Sequence, residues 1–292
     1  MSLIKTCFDR LAREHRKALI TFITAGDPNP EVTVPLLHGL VAAGADVLEL
    51  GIPFSDPMAE GPVIQAACER ALAHGMTLHK VLEQAAEFRK QDQTTPLILM
   101  GYLNPIETTG YDQFAKAAVK SGVDGVILVD LPFEEAEEMM AIFKAQDIDL
   151  IWLVAPTTPP ARIAKISPFA SGFSYCVSRR GVTGESQLDV NAIAEQVDAI
   201  RESIRLPIAV GFGINDAASA QAVSNVADGV VVGSAIVKRL VDSHDPEVAG
   251  QEAFMLVREM RAGMDRGVEA KLLEDWNLCV QNQLPKKISP LE

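Results

Sequence analysis

The chemistry-bearing residues of this chain gather in one stretch, residues 46–62, which reads D-V-L-E-L-G-I-P-F-S-D-P-M-A-E-G-P. Its apolar start, Val47 to Leu50, has the composition of a buried strand, yet it carries Glu49. A carboxyl group taken out of water is pushed to a higher pKa, towards the range in which one side chain can both give and take a proton. Glu49 is therefore a candidate general acid/base; a structural glutamate satisfied by an arginine or by backbone amides is the competing reading. Pro53 and Pro57 prevent the next residues from continuing a strand or forming a helix, and the loop delivers Asp56 and Glu60 just after Glu49. Carboxyl groups on a strand end and on the loop that follows it can face one pocket.

A second chemistry lies late in the chain. Three glycine-bearing loops, Gly181-Val182-Thr183-Gly184, Gly211-Phe212-Gly213 and Gly233-Ser234, each follow a short apolar run. Glycine lets a backbone N–H approach an anion closely, and a helix starting at Ser234 would add its dipole and a hydroxyl donor. One such loop is more often a tight turn, but three in succession describe a phosphate cradle. Phe22 and Phe212 could clamp a planar aromatic substrate, or could be ordinary packing, and Tyr175 could line the pocket or sit within the core. Of Arg179 and Arg180, the second reads as a solvated charge. His15, His38, His74, His79 and His244 fall on helices or helix edges, so none is the expected base, and no hydrolase triad emerges.

The elements that must position these groups follow one rhythm of strand, loop and helix. An amphipathic helix over residues 5–15 opens the chain as a lid on one end. Apolar strands are expected at 19–24, 47–50, 96–100, 126–129, 150–154, 172–177, 207–210 and 229–232, with a loop at 101–105 and helices including 31–43, 62–74, 78–91, 111–120, 133–146, 162–166 and 190–203. Eight near-continuous apolar strands, each followed by helix, favour a closed, single-domain (β/α)8 TIM barrel of the α/β class with an extra N-terminal helix. No GxGxxG follows the first strand, which weakens an open dinucleotide-binding sheet. A helix at 252–264 seals the last unit. The expected barrel domain spans 1–267, and 268–292 is expected to be a C-terminal tail, a surface helix fading into disorder.

With 26 Lys and Arg against 39 Asp and Glu, the net charge is −13, which excludes nucleic acid or an anionic membrane as the main partner. Cys7, Cys68, Cys176 and Cys279 show no metal-ligand or disulfide spacing, so no metal is expected and a reducing cytoplasm is. No run is long and apolar enough for a membrane span or an export signal.

The motif L-E-L-G-I-P-F-S-D-P-M-A-E-G-P-V-I-Q at 48–65, together with S-R-R-G-V-T-G and G-F-G-I, resembles the tryptophan synthase alpha family over nearly the whole barrel. The resemblance implies a lyase that splits indole-3-glycerol phosphate into indole and glyceraldehyde 3-phosphate without a metal or a cofactor of its own. It implies that Glu49 is the acid/base, that Thr183 closes the site, and that Gly184, Gly213, Gly233 and Ser234 hold phosphate. It also implies an α2β2 heterotetramer whose β subunit carries pyridoxal phosphate, with Asp56, Asn104 and Pro105 near that partner. One position departs from the family. Its second catalytic carboxylate, which accepts the indole N–H, is normally Asp, and here it is Glu60, longer by about 1.3 Å. A phosphate-binding synthase or aldolase barrel would need a strand-end lysine, which the expected strands lack. A non-catalytic subunit that only activates its partner is the reading that Glu60 motivates.

Overall fold

The computed structural model describes residues 2–178, 189–211 and 213–283, and side chains as far as 267. Helix α1 (Leu3–Arg13) precedes strand β1 (Ala18–Thr24), helix α2 (Thr33–Ala43), strand β2 (Val47–Gly51) and helices α3 (Pro62–Ala73) and α4 (Leu78–Arg89). Strand β3 (Leu97–Gly101), helices α5 (Leu103–Thr109) and α6 (Tyr111–Lys120), strand β4 (Gly125–Leu128) and helix α7 (Glu137–Ala145) follow. Next come β5 (Asp149–Leu150), β6 (Trp152–Val154), α8 (Pro160–Ile166), β7 (Ser174–Val177) and α9 (Val190–Ser203). The series ends with β8 (Ile208–Gly211), α10 (Ala217–Ser224), β9 (Gly229–Val232), α11 (Ser234–Val237) and α12 (Pro246–Gln283).

All strand pairs are parallel, in the order β5-β4-β3-β2-β1-β9-β8-β7-β6. The two ends of that order, β5 and β6, are halves of one strand interrupted at Ile151, whose N–H donates to the Val126 carbonyl at 3.0 Å. The sheet therefore closes on itself as an eight-position barrel, and the single expected strand at 150–154 is resolved into two segments.

Period-two alternation assigns each strand residue to one of two cores. Leu48 and Leu50 join the large core beneath the helices, whereas Val47, Ile98, Ile127, Ile151, Phe173 and Val231 fill the barrel's interior. Helix α1 plugs the N-terminal end of that interior with Ile4, Cys7, Phe8 and Leu11. It is the expected lid, but it begins at Leu3, where Ser2 caps it, and ends at Arg13; His15, at φ 55°, breaks the helical backbone.

Three aspartates tie the barrel together at the same end. Each precedes or opens a strand and accepts a backbone N–H from the neighbouring one: Asp46 from Leu19 at 3.0 Å, Asp124 from Leu97 at 2.8 Å and Asp228 from Ile208 at 3.1 Å. Each is also bonded to an arginine, Arg261, Arg89 and Arg201 respectively. The repeated pairing satisfies groups that closure would otherwise leave stranded.

Other expectations are corrected in detail. The loop at 101–105 is cut short by α5: Pro105 falls in the helix's first turn, where its missing N–H costs nothing, and Asp130 accepts the Leu103 N–H at 2.8 Å. A 3-10 turn occupies Pro30–Val32 ahead of α2 and another Phe133–Glu135 ahead of α7, shortening the helices expected there. The strand expected at 172–177 starts at Ser174, because Gly172 turns at φ 68°. The last helix begins at Pro246 and runs to Gln283, far beyond 252–264. Among the described residues no helix is long and apolar enough to cross a membrane.

Candidate active site

Glu49 sits in the middle of β2, in register with Phe22 of β1 and Ile98 of β3. Two residues beyond Val47, it shares that residue's face and enters the barrel's interior. It is 1% exposed, and neither carboxyl oxygen has a hydrogen-bond partner. Burial, and then the proximity of Glu60, push its pKa up to about 8. The carboxyl group is therefore mostly protonated at neutral pH while remaining able to ionise.

Glu60 reaches the same space from the loop after β2, and burial raises its pKa as well. It shares a narrow pocket with Phe22, Thr24, Met100 and Tyr102, so the two predicted carboxyl groups are brought together. Tyr102 fixes the loop that carries Glu60: its hydroxyl accepts the Ala59 N–H at 2.9 Å, and its ring stacks on Phe54 with centroids 5.1 Å apart. Gln65 Nε2 donates to the Glu60 carbonyl at 2.8 Å, holding the other side of the turn. Tyr102, Met100 and Thr24, whose buried Oγ1 is unpartnered, escaped the sequence reading as pocket residues. Their positions at the ends of β1 and β3 are the signal that would have found them.

Aromatic rings line the rest of the mouth, made possible by glycines on adjacent strands. A Cβ on Gly51 would lie 2.6 Å from Phe22 Cζ, and one on Gly211 would lie 2.2 Å from the Tyr175 hydroxyl. Tyr175 points into the interior, where burial and then the charges of Glu49 and Glu60 raise its pKa well above its ordinary value. Gly233 lies against the other side of Phe22, with a would-be Cβ 3.5 Å from Phe22 Cβ. Gly233 caps α11, and exposed Ser234 is its first residue, so a helix start does follow β9. Gly213 turns at φ 83°, a conformation that favours glycine. Thr183, Gly184 and Phe212 lie outside the described residues.

The expected partner-facing residues sit outside this pocket. Asp56 is exposed and accepts a 2.5 Å hydrogen bond from Ser55, beside Met58 at 81% exposure. Asn104 is exposed in the first turn of α5, next to half-buried Pro105.

A closed parallel barrel that gathers a buried, unpartnered carboxyl group, a second carboxyl group on the adjoining loop and a glycine-led helix start at one end has the architecture of a TIM-barrel enzyme. The family model described as tryptophan synthase alpha chain matches residues 8–265, and the chain belongs to that family. The tryptophan synthase alpha chain of Nitrosococcus oceani is 56% identical over 266 residues, covering 91% of this chain and 98% of the relative. That of Thioalkalivibrio sulfidiphilus is 54% identical, covering 91% and 100%. Among solved structures, tryptophan synthase subunit alpha from Legionella pneumophila superposes with a TM-score of 0.85 at 45% identity, over 91% of this chain and 99% of that one.

Proposed function

We propose that the barrel mouth cleaves indole-3-glycerol phosphate to indole and glyceraldehyde 3-phosphate by a retro-aldol reaction, the lyase step of tryptophan biosynthesis. The observation that carries the residue assignment is the buried, unpartnered carboxyl group of Glu49 beside Glu60. Protonated Glu49 delivers its proton to indole C3. The bond from C3 to the glycerol carbon then breaks, its electron pair returning to the ring, while the hydroxyl on that carbon becomes the aldehyde carbonyl. The hydroxyl proton passes to the Glu49 carboxylate and restores it. Atoms balance without water, and a pKa near neutrality suits a group that must work in both directions.

Glu60 accepts the indole N–H and offsets positive charge that develops on the ring after protonation at C3. Its added methylene matters, because displacement by about an angstrom can cost roughly 100-fold in rate. The Tyr102 and Gln65 contacts fix the backbone of the turn from which the longer side chain extends. Phe22 and Tyr175, with Phe212, flank the indole ring. Gly184, Gly213, Gly233 and Ser234 hold the phosphate, and Thr183 helps close the site.

The chain works with a β subunit in an α2β2 assembly, docking through the surface around Asp56, Asn104 and Pro105. Exposed Met58, an adaptable apolar side chain in the same loop as Asp56, supports that surface. Pyridoxal phosphate belongs to the partner, a reading supported by the strands, none of which, among the described residues, carries a lysine to hold it as a Schiff base. We place the protein in the cytoplasm, supported by free, buried Cys7, Cys68 and Cys176. Residues 1–267 form the barrel domain and 268–292 a tail. The end of the family match at 265 supports this division, as does the packing of Gly267 against Gln221.

Indole release from indole-3-glycerol phosphate, measured with and without β subunit, tests the proposal. Release by the wild type and its loss in Glu49→Gln are expected. A wild type that releases no indole but still stimulates a β subunit would instead make this a non-catalytic activator, and a Glu60→Ala variant that turns over normally would remove Glu60 from the mechanism.

A further inference from the structure

At the end of the barrel opposite Glu49, a cavity of about 450 Å³ opens between α1, the C-terminal end of α9 and the segments leading into β1, β8 and β9. That volume lies within the range of small-molecule pockets, roughly 300–1,000 Å³. One wall is apolar, built from Phe8, Leu11, Leu206 and Pro207. The other carries four cations, Arg16, Lys17, Arg201 and Arg205, against two carboxylates, Asp9 and Asp228.

The pairing of these groups leaves one cation over. Asp9 is paired at 2.5 Å with Lys5, which is not part of the lining. Asp228 is divided among Lys17 at 3.2 Å, Arg201 at 3.1 Å and the Ile208 N–H at 3.1 Å. Arg16 is taken up by Asp265 and Glu14, and Arg201 also meets Asp198 at 3.8 Å. Arg205 is exposed, and among the described residues it has no hydrogen bond and no ion pair. In a chain of net charge −13, an unpaired arginine beside half-buried Leu206 and Pro207 is a local point of attraction for a small anion but not for a nucleic acid.

We propose that this cavity binds a small organic anion, an acidic head group on a short apolar body. Arg205, with Lys17 and Arg201, receives the head group, and the wall of Phe8, Leu206 and Pro207 covers the body. An acidic head group gives Arg205 the charge-assisted partner it lacks, and half-buried Leu206 and Pro207 offer the body apolar surface to cover.

Calorimetric titration of the full chain with benzoate, and with benzyl alcohol as its uncharged counterpart, tests the site. Saturable benzoate binding is expected, with benzyl alcohol at least about tenfold weaker. Arg205→Glu should weaken benzoate by about tenfold or more, the worth of one charge-assisted hydrogen bond, and Arg205→Lys should retain most of the affinity. Indole release should be unchanged in both variants, because Arg205 lies at the far end of the barrel from Glu49. Benzoate affinity that survives Arg205→Glu would put the binding elsewhere. Equal binding of benzyl alcohol would reduce the cavity to an apolar cleft, and absence of saturable benzoate binding would remove the site altogether.

Discussion

The two ends of the barrel treat carboxyl groups in opposite ways. At the N-terminal end, Asp46, Asp124 and Asp228 each accept a strand N–H and an arginine. At the mouth, Glu49 is buried more deeply than any of them, at 1% exposed, and among the described residues neither of its carboxyl oxygens has a hydrogen-bond partner. The same chemical group is a fastener in one place and, in the proposed reaction, a proton carrier in the other, and the difference lies in what surrounds it. For Asp228, the Ile208 N–H, Lys17 and Arg201 outweigh the effect of burial and lower the pKa; for Glu49, burial acts unopposed and Glu60 adds to it. Paired carboxyl groups gather at one end of the fold and an unpaired one at the other, where the proposed chemistry calls for an ionisable group free to change state.

The largest effect that could break this comparison comes from Glu49→Gln. Loss of the acid/base should lower kcat/KM for indole release by about 10²–10⁴-fold, while the thermal midpoint stays level or rises, since an ionisable buried group has been replaced by a neutral one of similar shape. The pH dependence follows from the raised pKa. Between the ordinary value of 4.5 and about 8 the folded protein holds a proton at Glu49 that the unfolded chain has released. The contribution is thus fully present below about 4.5, declines as pH rises, and is lost above about 8. Denaturant titrations across that window should show the decline in wild type and a flatter curve in the variant. An equal slope in both would mean that Glu49 is not the strained group.

Arg89→Ala attacks the other end. Arg89 bonds Asp124 and the carbonyls of Gly122, Asp92 and Thr95, so its loss strands a buried carboxylate together with several acceptors. Unfolding free energy should fall by about 3–5 kcal/mol, read from the denaturant midpoint, while indole release per folded molecule stays near wild type. Stability that survives Arg89→Ala while activity falls would reverse the proposed division of labour. Gly51→Ala is a smaller change that brings packing into contact with chemistry. Its Cβ would fall 2.6 Å from Phe22 Cζ and must push the ring aside. Overpacking of about 1–3 kcal/mol is expected, with KM rising more than kcat falls, because the role proposed for Phe22 is to hold the ring without touching the proton. Steady-state kinetics beside thermal melts separate the two effects.

The sequence made the barrel legible because strands buried on both faces cannot hide: Gly229–Val232 and the helix Val190–Ser203 were delimited from the residues alone. Glu49 stood out for the same reason, as a charge within an apolar run. What stayed illegible depended on contacts across the fold. No local pattern at 101–105 announces a helix whose first N–H is received by Asp130, and nothing near Ile151 tells that one strand is interrupted where the sheet closes. Tyr102 gave no signal as the residue that holds the Glu60 loop, because the N–H it receives comes from Ala59, far away in sequence. The pairing of strand-leading aspartates with Arg261, Arg89 and Arg201 was equally invisible, since a lone Asp before a strand reads as a turn residue.

The smallest effect expected in isolation belongs to Asp56→Ala, and it sharpens the contrast between fold and function most finely. Asp56 is exposed and its one side-chain bond is to its neighbour Ser55, so its removal should alter stability by less than about 0.5 kcal/mol. Unassisted indole release should also hold, because the Glu60 turn is fixed by Tyr102 and Gln65 and not by Asp56. If the loop is the docking surface, the deficit should appear only when β subunit is added, as weaker assembly by sedimentation and a smaller rate stimulation. A Met58→Ala variant should show the same dependence on the partner, since an apolar side chain left in water gains its contacts only at an interface. Identical stimulation of wild type and both variants would move the docking surface away from this loop, whereas loss of unassisted activity would show that the loop's exposed face is already part of the catalytic end.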